Sequence, residues 1–312
     1  MAEGGKIMLS EAVSSHIELY RNMGFKYKTQ EYMLLNFAEF ATSRSEEFIR
    51  TETVIEWAAS APSVRRRHDR LLVIRRLAAA LSAEDDRHQI PPPDVFGRAP
   101  KPHRTCHIFA EDEIYRLLQA ASQLTSRRSI RPATCIALLS LIAATGLRVS
   151  EALNLQLSDI TEDGLLIRET KFQKSRLVPL HESARRGLQQ YLTTRKRTGT
   201  VVSNVFVSKH GTALPYSTVN AIFLRLARLA GLRGGPGLRG CRIHDLRHTF
   251  AVRSLEQCAP DRKAVARHMA ALSTYLGHAH VSDTYWYLHA TPKLLGDVAA
   301  AAESLHQRGG DR

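Results

Sequence analysis

Through residues 10–85, apolar positions recur at helical spacing. Leu34, Phe37, Ala38 and Ala41 fall at i, i+3, i+4 and i+7, and Ile74, Leu77, Ala78 and Leu81 repeat the pattern. Each set lays an apolar stripe along a helix, with no strong strand alternation between them. From Gln89 to Thr105 the pattern stops, and the run QIPPPDVFGRAPKPHRT holds five prolines. Proline fixes φ and stops helices, so this run predicts a semi-rigid extended linker and a domain boundary. Helical patterning resumes near His107, where FAEDEIYRLLQAA places acidic residues in a first turn. Arg131–Ala143 is apolar on most sides and predicts a buried helix, broken at Thr145-Gly146. RVSEALNLQ starts another helix, and Gly164–Leu180 reads as two short strands around a polar turn. Helices return at 183–195 and 217–230, and IHDLRHTFAVRSL reads as one more. The glycine-rich stretch Gly231–Gly240 lacks both the residue order and the strand-to-helix setting of a phosphate-binding loop. The expected organisation is a helical domain over 1–88, a linker over 89–105, a second domain over 106–290 and a tail over 291–312.

Charge sharpens this division. The chain has 312 residues, 44% of them hydrophobic and 24% charged, which suits a folded protein with a sizeable core. Lys+Arg number 44 and Asp+Glu 30, a formal excess of +14. Residues 1–100 hold 14 basic and 14 acidic side chains, so the whole excess lies beyond them. Such an imbalance points to a polyanionic partner, and the lack of a basic amphipathic helix with bulky apolar residues favours nucleic acid over membrane. The longest apolar stretch, Ala133–Leu147, is interrupted by Thr134, Cys135, Ser140 and Thr145, too short and polar to span a bilayer. The first residues lack a signal-peptide core, and the four cysteines form no CxxC pair, so the expected setting is cytoplasmic, without a disulfide framework or cysteine-rich zinc site. Within the neutral part, Val64–Arg76 carries Arg65, Arg66, Arg67, Arg70, Arg75 and Arg76. These arginines either track a phosphate backbone or form an ordinary solvated helix face.

Five patches carry candidate chemistry: ATGLRVSEAL (Ala144–Leu153), ETKFQKSRLVPL (Glu169–Leu180), IHDLRHTFA (Ile243–Ala251), YLGHAH (Tyr275–His280) and TYWYLH (Thr284–His289). In this order they resemble the tyrosine recombinase (phage integrase) family over roughly residues 105–290. The first domain resembles that family's helical core-binding domain in general character only. By the resemblance, Arg148 matches the first active-site arginine, Lys171 the hairpin lysine, His244 and Arg247 the HxxR pair, and His278 the histidine after Leu-Gly. Tyr287, with His289 two residues on, matches the nucleophile, and Glu151 an acidic position supporting the first arginine. Two departures stand out: Ala279–Tyr285 (AHVSDTY) replaces the usual small and β-branched run, and the hairpin tip KFQK lacks the common glycine.

The resemblance implies a mainly α fold with a small antiparallel β-sheet, built as a two-domain clamp around double-stranded DNA. It implies phosphoryl transfer from DNA to tyrosine and back. Arg148 and Arg247 would bind the non-bridging oxygens, and His278 would donate a further hydrogen bond. Tyr287 would form a 3′-phosphotyrosine, with Lys171 protonating the 5′-leaving oxygen and His244 managing the tyrosine proton. No metal and no other cofactor is expected, because the arginines offset the charge that a metal otherwise would. Lys174 rivals Lys171, and Tyr285 rivals Tyr287. Arg65, Arg66, Arg67, Arg70, Lys174 and Arg176 are candidate DNA contacts. A metal reading of His244 and His248, with His278 or His280 as third ligand, lacks the glutamate of HExxH and leaves the arginines unexplained. The implied assembly is a homotetramer on two DNA sites, a monomer or weak dimer off DNA, with any need for accessory proteins left open. Leu294, Leu295, Val298, Ala301, Ala302 and Leu305 lay an apolar stripe on the tail, which docks either on a neighbouring protomer or on its own domain. The function implied is site-specific recombination or integration, with a mobile element as the expected setting. The alternatives are type IB topoisomerase-like relaxation and a non-catalytic DNA-binding regulator.

Overall fold

The computed structural model describes residues 9–97, 106–124, 129–168, 175–235, 237–238, 240–258, 262–278, 280–285 and 287. The chain divides into two compact units, Met1–His103 and Arg104–Arg312. No helix among the described residues is long and apolar enough to cross a membrane.

The first unit is helical: α1 (Leu9–Asn22), α2 (Lys28–Thr42), α3 (Thr51–Ala59) and α4 (Val64–Leu81). Both sequence stripes face one core, with Leu34, Phe37, Ala41, Ile74 and Leu77 fully buried beside Ile49, Val54 and Trp57. Burying such side chains contributes roughly 1.5–3 kcal/mol each, which outweighs the modest intrinsic propensities of these helices. Ser63 caps α4 by accepting the Arg66 amide at 3.3 Å. The described part of the proline run is not free of this unit. The Gln89 amide bonds the Ile49 carbonyl at 2.8 Å, the Gln89 side chain accepts the Thr51 amide at 2.8 Å, and Phe96 packs against the core.

The second unit contains α5 (Glu111–Ser122), α6 (Arg131–Thr145), α7 (Val149–Asn154), a 3₁₀ turn (Leu157–Asp159), β1 (Leu165–Ile167) and β2 (Arg176–Val178). It continues with α8 (Glu182–Lys196), α9 (Tyr216–Leu229), α10 (Asp245–Glu256), α11 (Arg262–Leu276) and α12 (Ser282–Tyr285). β1 and β2 pair antiparallel with Leu165 opposite Val178 and Ile167 opposite Arg176. Pro132 opens α6, where its missing N–H costs nothing, and α6 then crosses the unit buried against α5, α8 and α10. The expected buried helix, hairpin strands and two later helices are all present. Between α8 and α9 the chain makes isolated bridges, Gln156 with Asn204 and Val207 with Ala213, which the apolar pattern did not reveal.

Candidate active site

Two turns build the site. α6 ends at Thr145, and Gly146 follows with a left-handed φ of 63°. A Cβ on Gly146 would lie 2.5 Å from the Phe250 ring, so conformation and packing both require glycine. This turn delivers Arg148 to the N-cap of α7, where Glu151 accepts its backbone N–H at 3.0 Å and its guanidinium at 2.7 Å. A second arm of Arg148 donates to the Gly277 carbonyl at 2.9 Å. Gly277 closes α11 with a φ of 66°, and a Cβ there would meet the Arg176 guanidinium at 2.8 Å.

Glu151 is the anionic hub of the site. Arg176 gives it two bonds, at 3.1 and 2.7 Å, and donates Nε to the Tyr275 carbonyl at 2.8 Å. Expected among the DNA contacts, Arg176 is instead turned inward. The Glu151 side chain is only 8% exposed, and a buried carboxylate needs a compensating cation. Burial alone would raise the Glu151 pKa, but Arg176 and then Arg148 outweigh it and hold the carboxyl at about 2.

α10 supplies the next groups. Arg247 is 1% exposed, and its guanidinium donates to the Gly146 carbonyl at 2.7 Å and the Leu276 carbonyl at 2.8 Å. Burial, reinforced by repulsion from Arg148, lowers its pKa to about 10, so it stays charged at neutral pH. These carbonyl bonds fix the guanidinium plane while using part of its five N–H donors. His244, at the N-cap of α10, and His248, one turn into it, stand with ring centroids 4.7 Å apart. Burial lowers both pKa values, that of His248 to about 4 with help from His244, so His248 is neutral at pH 7.

Tyr287 lies among these groups, 3% exposed. Its hydroxyl is 3.3 Å from His248 Nδ1, and its ring stacks near His278 at a centroid separation of 6.1 Å. Burial raises the phenol pKa, and Arg247 opposes that rise by its charge and by a hydrogen bond. His278 Nδ1 meets the Thr284 hydroxyl at 2.7 Å, and burial followed by repulsion from Arg247 and Arg148 lowers its pKa to about 4. The structure therefore brings together Arg148, Glu151, His244, Arg247, His278 and Tyr287. Tyr285, the rival tyrosine, is 55% exposed. Lys171 and Lys174 lie outside the described residues.

Sequence reasoning missed three contributors. The sequence offers His248 only as a metal ligand, yet it is the imidazole beside the tyrosine oxygen, a place expected for His244. Thr284 fixes the His278 ring, and Arg176 balances Glu151. The one available signal was the position of His248 one turn after His244 on a helix that also carries Arg247.

In the first unit, Arg65 and Arg66 project into solvent. Arg67 bonds the Ala61 carbonyl at 3.1 Å, and Arg70 stacks on Trp57 at 4.7 Å while donating to the Trp57 carbonyl and Ser60 hydroxyl at 2.8 Å each.

Two guanidinium groups, that of Arg247 buried and that of Arg148 partly exposed, with neutral imidazoles and a phenol in one cluster, suit transfer of a phosphodiester to the phenol oxygen. Comparison with known proteins agrees. Residues 107–293 match the phage integrase family. The chain is 37% identical to a putative integrase/recombinase, y4rB, of Sinorhizobium fredii, over 97% of this chain and 98% of that protein. It is 32% identical to the tyrosine recombinase XerD of Oceanobacillus iheyensis, over 69% and 68% of the two chains. In fold it is similar to lambda integrase in a tetramer bound to a Holliday junction, with a TM-score of 0.62 at 18% identity, over 90% of this chain and 78% of that one. From this site and these likenesses together, the chain belongs to the phage integrase family of tyrosine recombinases and is a site-specific DNA recombinase.

Proposed function

We propose that this chain cuts and rejoins duplex DNA with Tyr287 as nucleophile. The observation that carries the reading is the convergence of Tyr287, Arg247, Arg148 and His278, drawn from four separate stretches of sequence. The scissile phosphodiester binds against the two arginines, whose charge offsets the growing negative charge on its non-bridging oxygens. His278, held by Thr284, donates its other ring nitrogen to the same phosphate. The Tyr287 oxygen attacks phosphorus and passes its proton to neutral His248. The new P–O bond to tyrosine replaces the P–O bond to the 5′-oxygen, which leaves with a proton from Lys171. A second 5′-hydroxyl reverses the step on a new partner strand, so no external energy source enters.

Arg65 and Arg66 on α4 supply phosphate contacts in the core-binding domain, and the two domains grip the duplex as a clamp. Four protomers assemble on two sites and pass through a Holliday junction, a reading supported by the fold's likeness to a lambda integrase tetramer bound to a Holliday junction. The tail over 291–312, with its apolar stripe, lies outside the described residues. The integrase-like relatives favour a mobile element as the setting, in the cytoplasm. Supercoiled plasmids with and without a cognate site pair test the reading. Recombinants that require the sites, together with a covalent protein–DNA adduct mapped to Tyr287, are the expected result. Relaxation independent of sites would identify a topoisomerase instead, and binding without cleavage a regulator.

A further inference from the structure

Beside the tyrosine stands a second set of donors. Cys106, Asp245 and His248 bring a thiol, a carboxylate and an imidazole together, with their ligand atoms all within 4.8 Å of one another. Ligands around a tetrahedral zinc ion stand roughly 3.3–3.8 Å apart, given its bond lengths, so a small closure completes the set. Asp245 and His248 share a face of α10, three residues apart. The segment carrying Cys106 is fastened to the same helix. The Phe109 amide donates to the Thr249 hydroxyl at 2.9 Å, and Arg253 donates to the Phe109 carbonyl at 2.8 Å.

The place already holds a positive charge. The Arg242 guanidinium reaches Asp245 at 2.9 and 3.2 Å and Cys106 Sγ at 3.6 Å. The Arg242 backbone amide holds the other Asp245 oxygen at 2.8 Å. The Arg242 side chain is 38% exposed, so it can swing into solvent and leave sulfur and one carboxylate oxygen to another cation. We propose that Cys106, Asp245 and His248 form a site for zinc or another thiophilic divalent cation, and that filling it silences Tyr287. Water completes the coordination. The Cys106 thiol loses its proton to solvent as the sulfur–metal bond forms, and nothing is oxidised or reduced.

Silencing follows from the imidazole. A neutral ring has one nitrogen lone pair to give, and the other nitrogen carries the proton. Whichever nitrogen of His248 binds the metal, none remains to accept the tyrosine proton. The binding half of the proposal stands by itself, whereas the silencing half rests on the roles given to Tyr287 and His248 above.

Cobalt(II) reads binding without any need for activity. Full-length protein stripped with EDTA and titrated with Co²⁺ should develop a thiolate-to-cobalt charge-transfer band that saturates at one equivalent and is displaced by Zn²⁺. Cys106→Ala should abolish the band and weaken zinc by at least about tenfold, while Cys258→Ala keeps both. Arg242→Ala, which removes the competing cation, should tighten zinc several-fold, an opposite shift that damage to folding would not produce. Zinc should stop covalent-complex formation by the unaltered protein, EDTA should restore it, and Cys106→Ala should cleave equally with and without zinc. A band that survives Cys106→Ala, or no band at all, overturns the site. Binding that follows these rules while zinc leaves cleavage unchanged overturns the silencing alone. A Tyr287→Phe protein that still forms the adduct marks failure of the nucleophile assignment and leaves the cobalt result standing.

Discussion

The start of α4 in the first unit and the site in the second use arginine in opposite ways. On α4, Arg65 and Arg66 stand exposed to solvent. In the second unit Arg247 is fully buried, and Arg176 is nearly so, each locked to backbone carbonyls or a buried carboxylate. A solvated guanidinium lends affinity through counterion release and tolerates replacement. A buried one has already lost its water, so its field acts on a bound phosphate with little screening and its loss leaves orphaned partners.

The comparison breaks most sharply at Tyr287, whose phenol feels the charge of Arg247 and Arg148. Tyr287→Phe keeps the ring that packs against His278 and removes one oxygen, so the protein should fold and bind DNA while adduct formation on a nicked suicide substrate falls to background. Adduct formation by this variant, lost instead in Tyr285→Phe, would transfer the role to Tyr285. Next in size, Arg247→Ala should slow single-turnover cleavage by about 10²–10³. Arg247→Lys should recover little, since an ammonium cannot span the Gly146 and Leu276 carbonyls as a planar fork does.

A smaller effect lies in pH. Glu151 has a folded pKa of about 2 against an ordinary 4.5. Its contribution is therefore complete above about 4.5 and is lost as pH falls toward 2, on the order of 3 kcal/mol across that window. His248 and His278, lowered from 6.5 to about 4, act first: the unfolded chain takes up protons below 6.5 that the folded chain refuses, so stability already declines from 6.5 toward 4. Denaturant melts from pH 7 to 3 should show both stages, and Glu151→Gln should flatten the lower one. Smallest is the loss of Arg65 and Arg66 together to alanine. Cleavage at saturating DNA should hold, melting should not move, and the slope of log affinity against log salt should drop by about two. A cleavage defect at saturation would erase the contrast between the units.

Much of this was legible in the residues, for reasons that differ by region. Helical stripes such as Leu34–Ala41 announce themselves because one buried face repeats every three or four positions. Arg148, Arg247 and His278 are picked out by the family resemblance, because each sits in a short motif that the resemblance can match: a Thr-Gly turn, a histidine three residues earlier, a Leu-Gly turn. Arg176 could not be read this way. On a short strand a basic residue reads as exposed, and only the tertiary placement of Glu151 draws it in. His248 was hidden similarly, since its importance depends on where a residue 39 positions later comes to rest. The proline run misled in part, because its composition carries no sign of the Gln89 bonds to Ile49 and Thr51.

Three of the bonds that hold the reactive arginines end on main-chain oxygens, those of Gly146, Leu276 and Gly277. No point mutation removes a peptide carbonyl. Heritable variation can reach this scaffold only by bending it, and two of the three oxygens belong to glycines whose backbone angles and crowded surroundings admit little else. Random diversification of the chain should thus leave the arginine anchors almost untouched by conservative drift and fail abruptly at positions 146 and 277. Selection for new target sites then has to work on surfaces remote from the chemistry, which is a favourable starting point for anyone wishing to redirect the enzyme without dulling it.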